Sequence, residues 1–213
     1  MTRRFDAVLF DFGGVFTDSP FEVFATAAGE LGVPAEQVLS IVFGPYDRDT
    51  DHPWHRLERG EIRFGDTRRE IMRLAREAGL ELDPVTILAR VSLGGGTRDV
   101  LVERTRSLRA AGYRTGLVTN NAREFRDGWR RVLPLHELFD TVVDSSEVGM
   151  RKPDPAIFRH ALELVGGVAP ERCVFLDDFH GNVAAAERLG MAGVLVGNDV
   201  GAAIAELDRL LGD

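Results

Sequence analysis

Lysine is almost missing from this chain. Of its 26 basic residues only one is lysine, Lys152, within GMRKPDP; the other 25 are arginine. Arginine is a planar fork with five donors, whereas lysine is a compact charge with three. A site that needs a point charge in a tight space would resist the replacement, so the spared position draws attention to GMRKPDP before any motif is invoked. Cysteine is equally scarce. Cys173, in RCVFLDD, has no partner for an intrachain disulfide and reads as a buried strand residue in a reducing compartment. No apolar run approaches the roughly 20 residues that span a bilayer. The opening MTRRFDAVLFD has an apolar run of only four residues before Asp11, shorter than the h-region of a signal peptide. The cytoplasm is the expected compartment. Excess positive charge is lacking too: the net charge is −8. That argues against nucleic acid or an anionic membrane as the main partner and leaves a local basic pocket open.

What is present suits a soluble globular protein. The 213 residues, 44% hydrophobic and 28% charged, can bury a sizeable core in one or two domains. Short apolar runs at 7–10, 115–119, 140–144, 173–177 and 192–196 read as buried parallel strands. Helix-length amphipathic segments lie between them, at roughly 98–112, 122–133, 155–166 and 181–190, with a last helix near 200–211. From residue 97 on, strand and helix alternate, which predicts an α/β fold with an open, doubly wound parallel sheet. Residues 20–94 break that pattern with helical, charged segments and no buried strand, as a helical insert after the first strand would. SLGGGT, at 92–97, reads as the hinge back to the sheet. No internal repeat or low-complexity tract is visible.

Ligands of open α/β sheets bind beyond the carboxyl ends of the strands. The predicted strand tips carry Asp11, then Thr119 with Asn120, then Asp177 with Asp178, while Lys152 follows the 140–144 strand on a loop. Acids alone would suggest only a cation. Acids with an ammonium, a hydroxyl and amide N–H groups suggest a cation together with an anion, most simply Mg²⁺ and phosphate.

The stretches DFGGV, LVTNN, GMRKPDP and FLDDFHGN resemble, in order and spacing, the four motifs of the haloacid dehalogenase (HAD) superfamily, and the helical insert resembles its C1 cap. Within the superfamily GGVFTDS, RLERGEI and GMRKPDPAIF are most similar to two subgroups. These are the α-D-glucose-1-phosphate phosphatases and the phosphatase-like domains attached to epoxide hydrolases and acyl-CoA dehydrogenases. The resemblance implies a Rossmann-like core of residues 1–18 and 95–213 and a cap of residues 19–94. It implies a Mg²⁺-dependent phosphatase acting on a small phosphorylated metabolite, such as a sugar phosphate. Asp11 would attack phosphorus and form an aspartyl-phosphate. Gly13 would offer its carbonyl to Mg²⁺ and Gly14 would allow the tight turn. Thr119 and Asn120 would hold the phosphoryl group, and Lys152 would neutralise charge on the phosphate and on Asp11. Asp178 would ligate the cation directly, Asp177 would stand behind it, and Asn182 would steady the loop or begin the helix.

One departure complicates that expectation. Most phosphatases of the superfamily carry an Asp two residues after the nucleophile as general acid; here that residue is Gly13. General acid catalysis is typically worth about 10²–10⁴-fold. A leaving group that needs little help, such as an anomeric hydroxyl, would explain the loss. So would a substitute acid from Asp18, His180 or DRDTDH at 47–52, and so would lost catalysis that leaves a binding or interaction module. Dehalogenases of the same fold also lack this acid, but they have no use for the Mg²⁺ that Asp177 and Asp178 would serve. FGPYDRDTDHPWH, at 43–55, mixes aromatic, acidic, Arg and His groups and would suit a hydroxylated ligand or form a solvated loop. Nothing in the sequence chooses between a monomer and a homodimer.

Overall fold

In the computed structural model, residues 3–94 and 97–212 are described. Strand β1 (Ala7–Phe10) is followed by five helices: α1 (Pro20–Glu30), α2 (Ala35–Phe43), α3 (Pro53–Glu58), α4 (Phe64–Glu77) and α5 (Pro84–Gly94). Then come α6 (Asp99–Ala110), β2 (Arg114–Thr119), α7 (Arg126–Trp129), α8 (Leu135–Leu138), β3 (Thr141–Asp144) and α9 (Ser145–Val148). The chain closes with α10 (Pro155–Leu164), β4 (Cys173–Asp177), α11 (His180–Arg188), β5 (Ala192–Leu195) and α12 (Val200–Leu211).

The five strands are all parallel, in the order β3-β2-β1-β4-β5. Alternate residues of β1 serve opposite faces: Val8 and Phe10 join Leu101, Leu108 and Leu207 on one side. Ala7 and Leu9 join Ile157, Phe158 and Ala186 on the other. Apolar clusters thus cover both faces, which is why the strands read as continuous hydrophobic runs. Cys173 is fully buried in β4, and burial pushes its thiol far above the usual range.

The helical insert has its own apolar cluster, built on Phe24, Val42, Phe43, Trp54, Leu57 and Ile71. Helix α4 shows why it forms: Thr67, Ile71 and Ala75 fall on one stripe and are buried while the charged residues face outward. Proline at the first turn presets α1 and α3. No strand occurs between 20 and 94 among the described residues, and no helix is long and apolar enough to cross a membrane.

Two local expectations change. Residues 122–133 do not form one helix but a 3₁₀ turn at Arg123–Phe125 and the single turn α7. Gly128 lies inside α7 and weakens it by about 1 kcal/mol relative to alanine, and the turn ends at Trp129, short of Pro134. Of the expected hinge at 92–97, residues 92–94 still belong to α5, while Gly95 and Gly96 lie outside the described residues.

The chain proceeds from β1 outward to β2 and β3, then crosses to β4 on the other side of β1. The topological switch point therefore lies between β1 and β4, where open sheets bind their ligands. Phe10 is level with Leu117 and Leu176, so the next positions, Asp11, Val118 with Thr119, and Asp177 with Asp178, share one edge.

Candidate active site

Asp11 is fixed where β1 ends: its backbone N–H donates to Leu176 O at 2.8 Å, tying it to β4. The Lys152 ammonium lies 2.7 Å from Asp11 Oδ1 and 2.7 Å from Asp177 Oδ2, and the lysine is only 1% exposed. A single compact cation thus bridges two strand tips. Asp177 is saturated: besides Lys152, its Oδ1 accepts from Phe179 N at 2.8 Å, and Asn182 Nδ2 lies 3.1 Å from each carboxylate oxygen. Asp178 points elsewhere and accepts from Ser19 Oγ. Ser19 precedes α1 in the position of a helix cap, yet its side chain makes no capping bond, because it is spent on this carboxylate.

Asp11, Asp177 and Asp178 each offer an oxygen, and these oxygens lie within 4.8 Å of one another. The donor set is all oxygen, which suits a hard divalent cation such as Mg²⁺. Two further observations fit such an ion with bound water. Gly14 has φ +77°, and a Cβ there would lie 1.9 Å from Asp178 Oδ2, so its absence is what lets Asp178 turn toward Asp11. Asn182 Oδ1 is buried without a hydrogen-bond partner among the described residues, an acceptor awaiting a donor. Asp177 is the most heavily engaged of the three, with Lys152, Phe179 N and Asn182 on it, whereas Asp11 meets Lys152 and Asp178 meets Ser19.

Electrostatics agree with this division. Burial pushes the Asp11 carboxyl well above the usual range; Lys152 opposes the rise and the neighbouring acids Asp177 and Asp178 reinforce it. Burial, then Asp177, raises Asp178 to about 7. Burial also works against the charge on Lys152, but Asp11 and Asp177 outweigh it and hold the ammonium above its usual value.

Asn120 contributes differently from Thr119. Its amide pairs with the backbone of Lys152, accepting from Lys152 N at 2.8 Å and donating to Lys152 O at 2.9 Å. The side chain therefore positions the lysine, leaving the Asn120 backbone N–H and the buried Thr119 hydroxyl for an anion. Gly13 lines the cavity beside them.

That cavity, of about 580 Å³, lies between the sheet edge and the helical insert. Asp11, Thr119, Lys152, Asp178 and Asn182 border it from the core, and Phe43, Tyr46, Trp54, Leu57 and Glu58 from the insert. Behind this wall runs a buried polar seam. Arg151 Nε donates to Glu58 Oε2 at 2.7 Å, both side chains being essentially buried. Glu58 Oε1 accepts from Trp54 Nε1 at 2.8 Å and from the Tyr46 hydroxyl at 2.7 Å. Asn120 Nδ2 reaches the same hydroxyl at 3.2 Å. The Arg151 guanidinium lies 4.6 Å from the Tyr46 ring centroid. Burial, with Glu58 beside it, pushes the Tyr46 phenol well above its usual value. Gly60 allows the close approach: it has φ +68°, and a Cβ there would lie 2.4 Å from Ser146 O.

The expected substitute acids do not reach this space. Asp18 and His180 are exposed, and neither they nor residues 47–52 line the cavity. His52 and His55 instead support the insert: burial lowers them to about 4 and about 3, and the nearby Arg151 charge adds to the effect.

Sequence reasoning brought together Asp11, Gly13, Thr119, Asn120, Lys152, Asp177, Asp178 and Asn182, and all eight sit at one edge. It missed Ser19, which reads as a helix cap, and the partnership of Tyr46, Glu58 and Arg151. Glu58 and Arg151 lie in the quoted stretches RLERGEI and GMRKPDP, but nothing local pairs residues 93 positions apart.

A family model described as haloacid dehalogenase-like hydrolase matches residues 5–190. Acyl-CoA dehydrogenase family member 10 of Mus musculus is 31% identical over 214 residues, covering 99% of this chain and 19% of that protein. The chain spans about one fifth of the length of the first relatives it matches. A sesquiterpene phosphatase of Aspergillus oryzae is 28% identical over 221 residues, covering 100% of both chains. A HAD family enzyme of Bacteroides thetaiotaomicron, solved with magnesium and inorganic phosphate, shares the fold: TM-score 0.61, 22% identity, 92% of this chain and 96% of that one. On the family match, this chain belongs to the haloacid dehalogenase-like hydrolases.

Proposed function

We propose that the chain is a Mg²⁺-dependent phosphatase that transfers the phosphoryl group of a small phosphate monoester to Asp11 and then to water. The observation that carries this reading is Lys152, whose ammonium lies 2.7 Å from both Asp11 Oδ1 and Asp177 Oδ2 at the floor of the cavity. An Asp11 oxygen attacks phosphorus, the bond from phosphorus to the ester oxygen breaks, and the leaving group keeps that electron pair. Water then cleaves the aspartyl-phosphate, releasing phosphate and restoring Asp11. Mg²⁺, when held by Asp11, Asp178 and the Gly13 carbonyl, supplies charge neutralisation for the phosphoryl oxygens. Lys152 neutralises the opposite side, Thr119 and the Asn120 backbone N–H hold the phosphoryl oxygens, and Asp177 with Asn182 keeps Lys152 in place.

In this reading residues 19–94 are the cap of a core formed by residues 1–18 and 95–213, and they exclude water from Asp11. A sugar phosphate, expected from the resemblance, is one ester of the required kind. A dehalogenase would have no use for the carboxylate cluster of Asp177 and Asp178. A binding module without catalysis would not need Asp11 beside a buried ammonium.

The test compares wild type with Asp11→Asn, with Mg²⁺, on activated aryl and anomeric phosphates. Wild-type kcat/KM should exceed that of the variant by at least about 10³-fold, as removing a nucleophile does. Equal rates would reject the enzyme, and chloride release from haloacids that persists in EDTA would support dehalogenation instead.

A further inference from the structure

The walls of the cavity differ in character from its floor. Above the phosphoryl site they are formed by Phe43, Trp54, Leu57 and Leu88 of the insert and by Phe125 and Trp129 of the core. Most polar side chains on these walls are engaged elsewhere, which leaves chiefly the Asn121 amide nitrogen, one Glu124 oxygen and the Thr17 hydroxyl near the rim. Glu58 already receives hydrogen bonds from Trp54, Tyr46 and Arg151. Both ends of the Asn120 amide are taken by the Lys152 backbone, and the Asn121 side-chain oxygen accepts from Ala122 N at 2.9 Å. Glu124 Oε1 accepts from Phe64 N at 2.9 Å. A sugar enclosed here would give up water at several hydroxyls and find few new partners, which disfavours its burial.

We infer that the organic group of the substrate is apolar: the site takes a phosphate monoester of a hydrophobic alcohol or phenol, not of a sugar. The inference rests on the phosphatase reading for the floor of the cavity, while its own support is the lining of the walls. A volume of about 580 Å³ falls within the range that encloses drug-sized ligands, larger than a phosphate needs. The phosphate end meets Lys152 and Thr119, and the carbon skeleton extends over the aromatic walls, where burial is favourable in proportion to area.

Two measurements test this separately from the reading beneath it. Straight-chain alkylphosphonates, which carry no cleavable ester bond, are titrated into the wild-type protein with Mg²⁺ by calorimetry. From ethyl- to octylphosphonate the dissociation constant should fall by up to about fourfold per added methylene, the equivalent of roughly 0.8 kcal/mol. Leu88→Asn should flatten that slope. In parallel, kcat/KM for octyl and naphthyl phosphates should exceed that for glucose 1-phosphate and glucose 6-phosphate by at least about tenfold. Asp11-dependent hydrolysis that favours the sugar phosphates would overturn the inference and leave the phosphatase intact. Absence of any Asp11-dependent hydrolysis would overturn the phosphatase, and the phosphonate series would still decide what the walls accept. An affinity that does not change with chain length would overturn the inference in either case.

Discussion

Gly13 and Gly14 are neighbours under different constraints. Gly14 must lack a side chain, because φ is +77° and a Cβ would meet Asp178 Oδ2 at 1.9 Å. Gly13 is not in the left-handed region, and a Cβ there would make only ordinary contact, 3.5 Å from Pro20 Cδ. The backbone therefore does not forbid an acid at position 13. Gly13→Asp should fold and should raise kcat for unactivated alkyl phosphates by roughly 10-fold or more, while activated aryl phosphates change little. A steady-state comparison of the two ester types reads this, and equal effects on both would argue against a missing proton donor. Asp178 gives a second residue-level expectation. Its proton is held up to about pH 7 by burial and by Asp177, so Mg²⁺ bound as proposed would displace it. Mg²⁺ affinity should weaken as pH falls below 7, approaching tenfold per unit, and titration in buffers of different ionisation enthalpy should register proton release. An affinity unchanged between pH 8 and 5.5 would contradict this.

Between elements, the seam of Arg151, Glu58 and Tyr46 joins the helical insert to the sheet one residue away from Lys152. Removing one partner of a buried ion pair strands the other charge, typically at about 3–5 kcal/mol. Glu58→Gln should lower stability by roughly 3 kcal/mol and raise KM. The double variant with Arg151→Met should recover part of that loss, and denaturant unfolding of the four proteins closes the cycle. Additive losses would mean that the two residues act independently. This seam also marks the limit of what the sequence discloses. The strands β1 to β5 were legible because each is a short apolar run, buried on both faces at β1 and β4 and partly exposed at the edges β3 and β5, and the site residues followed from the strand tips. The helix expected at 122–133 shrank to a 3₁₀ turn and the single turn α7, because periodicity outweighed propensity in the reading. Ser19, Glu58 and Arg151 depend on distant segments meeting, which no local pattern encodes.

For the molecule as a whole, acid should loosen the insert. His52 and His55 are lowered to about 4 and about 3 in the folded chain, against 6.5 for the free side chain. The unfolded chain thus binds more protons between those values, and stability that is fully present above pH 6.5 is lost progressively as pH falls toward 4. Asp11 and Asp178, with raised values, act with the opposite sign in the same window. The informative quantity is therefore the difference between wild type and His55→Gln. Their urea midpoints should differ less at pH 5 than at pH 7.5, since the variant is spared one proton-linked loss. An identical gap at both values would remove His55 from the account.

The scarcity of lysine gives this protein an unusual handle. Its sole ε-amine is enclosed between the carboxylates of Asp11 and Asp177, so no described side chain on the surface competes for amine-directed labels. Nitrogen-15 introduced at the ε position of lysine would report from one side-chain atom only, the one held between Asp11 and Asp177.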